Sequence, residues 1–148
     1  MQTLKDTQLN KLKEIFLESG VDYKGFVLED KNISLGKIPA IPTTPHINIE
    51  YVNFQRDTAF TGGGDMTLLN YDVNFIIKPA IPITQENKSN KQYLTDSLNN
   101  FSLGYLNYLF DNYRYDTWFL INQTSQSELM QLDSNNFLIT VKLQTINY

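Results

Sequence analysis

The chain of 148 residues has no cysteine, which excludes disulfides, thiolate metal sites and cysteine nucleophiles. A single histidine, His46, all but excludes imidazole metal sites and a Ser-His-Asp triad. A basic surplus is missing too. Twelve Lys and Arg face 16 Asp and Glu, for a net charge of -4, where nucleic-acid binders usually carry a positive excess. No apolar run approaches the roughly 18 residues that a membrane-spanning helix needs. The opening MQTLKDTQLNKLKE is too polar for a secretory signal. Alanine occurs three times and arginine twice, at Arg56 and Arg114.

What is present suits one domain over residues 1–148. Apolar residues at 41% against 19% charged are enough to build a core. Asn (16) and Gln (9) together reach 25 residues. An AT-rich coding sequence accounts for such a bias. So does a polar, uncharged surface made for wet protein contacts, since amides both donate and accept hydrogen bonds.

Hydrophobic spacing predicts a helix over about residues 4–19, with Leu9, Leu12, Ile15 and Phe16 on one face and Gly20 as C-cap. A short strand is expected at 23–29. Residues 31–45, with Pro39, Pro42 and Pro45, read as a loop or arm. Residues 46–77 read as a long β-hairpin. Leu69, Tyr71, Val73, Phe75 and Ile77 alternate with polar residues along its second arm, and Gly62, Gly63, Gly64 and Asp65 form its tip. A helix is expected at 90–112, with a capping box from Ser89 and Gln92 and an apolar stripe through Leu94, Leu98, Phe101, Tyr105 and Leu109. Leu103, Leu106 and Phe110 widen that surface, and Gly104 marks close packing. Strands at 115–122 and 136–147, joined by a loop, close the chain. The fold class is α+β: a mostly antiparallel sheet with two amphipathic helices packed on one face.

Chemical motifs are sparse. Gly62-Gly63-Gly64-Asp65 lacks the preceding strand, following helix and Lys of a phosphate loop, so it reads as a hairpin tip. Glu29-Asp30 and the pair Asp111 and Asp116 read as solvated carboxylates rather than acid–base pairs. His46 reads as a partly exposed strand-end residue. Arg56, beside Asp57, reads as one half of an ion pair within the chain or at an interface. Trp118 shares a strand phase with Asp116 and is a candidate for facing a partner, because Trp is enriched at interface hot spots. No catalytic residue, metal ligand or cofactor site emerges, so the reading is non-enzymatic, with no cofactor.

The element order resembles the tail-terminator and head–tail connector proteins of tailed bacteriophages. The matching stretches are Ile47–Phe54 and Leu68–Ile77 for the hairpin, Tyr93–Phe110 for the helix, and Trp118–Asn122 with Phe137–Ile146 for the last strands. The long Pro-rich segment departs from the pattern. The resemblance implies a structural virion protein assembled in the host cytoplasm and sited at the head–tail junction. It implies a homo-oligomeric ring, expected to be a hexamer, at the head-proximal end of the tail tube. Its partners would be tail-tube and neck proteins, with DNA passing through the channel without specific binding and no membrane contact. Candidate interface residues are Gly62, Gly63, Gly64, Asp65, Arg56, Pro39, Pro42 and Trp118. The competing reading is a small adaptor that binds an extended peptide by sheet-edge pairing.

Overall fold

A computed structural model describes residues 4–40, 44–57, 66–78, 88–113, 115–116, 119–132 and 136–147; some side chains at element ends, including Arg56 and those of 119–124, are outside the description. Helix α1 spans Leu4–Glu18 and helix α2 spans Lys88–Tyr113. The strands are β1 (Asp22–Tyr23), β2 (Phe26–Val27), β3 (Ile33–Leu35), β4 (His46–Asp57), β5 (Met66–Ile77), β6 (Tyr115–Asp116), β7 (Phe119–Gln126), β8 (Met130–Gln131) and β9 (Phe137–Asn147). The main sheet runs β3-β4-β5-β9-β7-β6, with β8 also on β9. Among the described strands of this sheet, only the β3–β4 pair is parallel. The fold is α+β, as the hydrophobic periodicity predicts.

Both helices lie on one face of the sheet. Period-2 alternation sends Ile47 and Ile49 of β4, Tyr71, Val73 and Phe75 of β5, and Ile139, Val141 and Leu143 of β9 into the core. Helix α1 covers them with Leu9, Leu12, Ile15 and Phe16, and α2 with Leu94, Leu98, Phe101, Tyr105 and Leu109. Aromatic edges link the layers: Phe75 meets Phe101 at 5.4 Å, Phe101 meets Tyr105 at 5.6 Å, and Tyr105 meets Phe16 at 5.9 Å between ring centroids. Gly20 ends α1 at φ +61°, as a C-cap glycine does.

Several local expectations need correction. The strand expected at 23–29 is a small hairpin, β1–β2, whose turn residues Lys24 and Gly25 both have positive φ. That geometry belongs to the tight turns whose twist matches a hairpin. Residues 31–45 hold a strand as well as a loop, because Ile33–Leu35 pairs with Ile47–Ile49. A parallel pair needs a crossover, here between Leu35 and His46, of which residues 36–40 and 44–45 are described. Its described ends are tied down: the Gly36 carbonyl accepts from Asn48 Nδ2 at 3.1 Å and the Pro45 carbonyl from Asn32 Nδ2 at 3.2 Å. The strand expected at 115–122 is two strands, since β6 pairs antiparallel with the start of β7. The two strands run in opposite directions, and Trp118, assigned a shared phase with Asp116, lies outside the described residues. Part of the polar loop expected after it is β7 running on to Gln126, followed by β8.

Helix α2 differs in detail. It is already helical at Lys88, and Gln92 donates from Nε2 forward to Asp96 at 3.0 Å, so Ser89 is not the residue before the helix. Leu103 is exposed rather than widening the buried apolar surface. A Cβ on Gly104 would lie 3.0 Å from Val21 Cγ1, so the close approach is to a side chain. His46 is buried, not partly exposed, and its Nε2 sits 2.8 Å from Ser34 Oγ.

Candidate interface at the open sheet edge

Strand β3 is only three residues long, and β4 is twelve. Gly36 N donates to the Ile49 carbonyl at 2.9 Å, and then Gly36, at φ +92°, turns the chain away. Beyond Ile49, no described strand pairs with β4 on that side. Among the described residues, the stretch from Glu50 to Asp57 is therefore an open strand edge on that side. It carries a bulge at Val52, where Tyr51 pairs with Tyr71 and Asn53 with Asn70. Val52 is 45% exposed and Phe54 58%. Bulges and short strands are common ways of blunting an edge, whereas exposed apolar residues on an edge invite pairing.

A cleft of about 520 Å³ opens where β3 stops. Its walls are Asp6, Leu9 and Asn10 of α1, Leu35, Gly36 and Lys37 at the end of β3, and Glu50 and Tyr51 of β4. Leu9, Leu35 and Tyr51 supply apolar surface; Asp6, Glu50 and Lys37 supply charge. Behind it, the Tyr51 ring meets the Tyr71 edge at 5.9 Å. Burial pushes the Tyr71 phenol above its ordinary pKa, and the hydroxyl donates to Gln8 Oε1 at 2.8 Å. Thr145 Oγ1 donates to the same oxygen. This network fixes the start of α1, and hence one wall of the cleft, on β5 and β9.

The sheet face away from the helices carries polar rows that cross the strands. Asn48 Nδ2 donates to Ser34 Oγ at 2.9 Å, Asn74 Nδ2 to Asn48 Oδ1 at 3.0 Å, and Thr140 Oγ1 to Asn74 Oδ1 at 2.6 Å. Asn48 and Asn74 are buried. A second row, Gln144 to Asn70 to Asn53, lies nearer solvent at 3.1 and 2.7 Å. Between them Lys142 Nζ lies 3.5 Å from Asp72 Oδ1. Each buried amide here is held by partners on neighbouring strands, as a low-dielectric setting demands.

One further cluster joins the small hairpin to α2. Lys24 Nζ donates to Tyr93 Oη at 2.9 Å and to Ser97 Oγ at 3.2 Å, and lies 4.7 Å from the Tyr93 ring centroid. The hydrogen bond to Tyr93 raises the Lys24 pKa, and the same contact lowers that of Tyr93. The arrangement is a clamp on the outside of the molecule.

The sequence-level interface residues divide accordingly. The Arg56 backbone lies on the open edge, paired with Thr67 on its other side. Pro39 is half-buried in the crossover. Gly62, Gly63, Gly64, Asp65, Pro42 and Trp118 lie outside the described residues. The cleft was not legible in sequence, because its walls come from three separated segments. Gly36 after an apolar triplet was the available signal for the end of β3. Among the described residues, no group of three or more His, Asp or Glu side chains is placed to hold a metal ion, and no helix is long and apolar enough to cross a membrane. Compared with protein-family models and with curated proteins, the chain matches none of them.

Proposed function

We propose that the chain is a structural subunit of the head–tail junction of a tailed bacteriophage virion, a tail terminator or head–tail connector. Copies would assemble in the host cytoplasm into a ring, expected to be a hexamer, on the tail tube. The observation that carries this reading is the open β4 edge, which bears exposed Val52 and Phe54 beside a hairpin of two twelve-residue strands. Such an edge is a template for pairing with another chain, and a ring removes open edges by closing on itself. The element order, helix then hairpin then helix then strands, supports the same reading. A net charge of -4 suits a channel through which DNA slides without sticking.

The cleft at the end of β3 favours a second reading, capture of an extended peptide along β4 with an apolar side chain against Leu9, Leu35 and Tyr51. Solution mass at high concentration, with negative-stain images and binding to purified tail tubes, separates the two. Closed rings that cap tube ends are the expected result. A strict monomer that ignores tubes but binds extended peptides would replace the ring reading with the adaptor one.

A further inference from the structure

The sheet has a second open edge, and it matches the first. Strand β6 covers only Phe119 and Leu120 of β7, so no described strand pairs with Ile121–Gln126 on the side away from β9. The strand registers place the two open stretches at the same height in the sheet. Glu50 shares a row with Asp72, Lys142 and Ser125; Tyr51 with Tyr71, Leu143 and Gln123; Asn53 with Asn70, Gln144 and Asn122; Phe54 with Leu69, Thr145 and Ile121. Both stretches carry a bulge, at Val52 and at Thr124, about one row apart, so both edges gain extra twist at nearly the same place. The short covering strands sit at opposite ends: β3 below Glu50 on one edge, β6 above Ile121 on the other.

Direction matters as well. Strands β4 and β9 run one way, and β5 and β7 the other. A rotation about an axis along the strands keeps each strand's direction. It therefore brings β4 of one copy against β7 of the next as an antiparallel pair, at unchanged height. We infer that the occupant of the β4 edge is the β7 edge of a second copy of this chain, in a head-to-tail contact that continues the sheet from subunit to subunit. The inference rests on the ring reading and names the surface by which the ring closes. Contacts of this heterologous kind close into rings when the rotation fits and run on as filaments when it does not.

The absence of native cysteine makes the test clean. Val52 and Ser125 are both exposed, so Val52→Cys and Ser125→Cys should leave the fold intact. The two single variants are mixed and treated with a short bis-maleimide, which tolerates an offset of a residue or two; circular dichroism checks the fold. The expected result is that V52C–S125C adducts outnumber either homodimer. The double variant should then give a ladder of multiples of the 17.1 kDa chain, ending in a closed species. Homodimers of V52C alone would mean β4 pairs with itself, and would overturn the inference. Rings in images without mixed adducts would overturn it while leaving the ring reading in place. Mixed adducts on open filaments would support it and remove the ring. A strict monomer with no adducts would remove both.

Discussion

The first residues of β4 and the later ones belong to one strand but live in different surroundings. From His46 to Ile49 every residue is buried, with β3 on one side, β5 on the other, α1 over the helix-side face and the crossover tied to the opposite one. From Val52 to Gln55 every residue is exposed. Composition does not explain the change, since both halves mix apolar and amide residues: Ile-Asn-Ile in one, Val-Asn-Phe-Gln in the other. The difference is the neighbour that β3 provides and then withdraws at Gly36. The covered half serves the stability of the single chain, and the open half is where the proposed neighbouring copy would pair.

The comparison breaks first at Ile49. Its side chain is fully buried, so Ile49→Ala should cost about 2–5 kcal/mol, the transfer loss plus the cavity left behind. Urea unfolding of the dilute protein measures it. A loss below about 1 kcal/mol would mean that the covered half is not the stability-bearing part of the strand.

The amides give a finer version. Asn48→Ala removes two donated bonds and the oxygen that Asn74 Nδ2 uses, and Asn74 is buried. Leaving that donor unmet should cost about 1–3 kcal/mol. Asn70→Ala removes equivalent bonds on the open row, where water replaces them, and should stay within about 0.5 kcal/mol. Equal losses for the two variants would erase the contrast between the rows.

What the sequence shows and what it hides follow the same division. Both helices, the long hairpin and β9 were legible, because their core faces repeat at 3.6 or 2 residues and each is long enough to show the repeat. Strand β3 was not. Three residues carry no period, and Ile33–Leu35 is a strand because β4 pairs with it. The reversal between Asp116 and Phe119 was hidden for a similar reason, since Tyr115 through Asn122 reads as one continuous strand. The amide surplus looked like material for a contact surface. Four of these amides are spent inside the molecule, with Asn32 tying the crossover, Asn48 and Asn74 bridging strands, and Gln8 accepting from Tyr71. An amide's partner is decided by register, which no local pattern states. The open edge was invisible too, being a property of where a neighbouring strand stops.

The smallest expected effect on the folded chain is also the most informative about the open half. Val52→Thr keeps the shape and the β-branched backbone preference, and adds a hydroxyl. In a packed core that hydroxyl would need a partner, but at 45% exposure on a bulge water supplies one. The stability of the dilute chain should therefore change by no more than about 0.5 kcal/mol. If β4 is an edge meant for a neighbouring copy, the same substitution places a polar group in the joint and raises the concentration at which mass increases above that of one chain. Sedimentation velocity across a concentration series, beside urea unfolding of the same samples, reads both quantities. Unchanged stability with weakened association is the expected pair. A clear loss of stability in the dilute chain would mean that Val52 already packs within its own subunit, and the division of β4 into a covered and an open half would have to be redrawn.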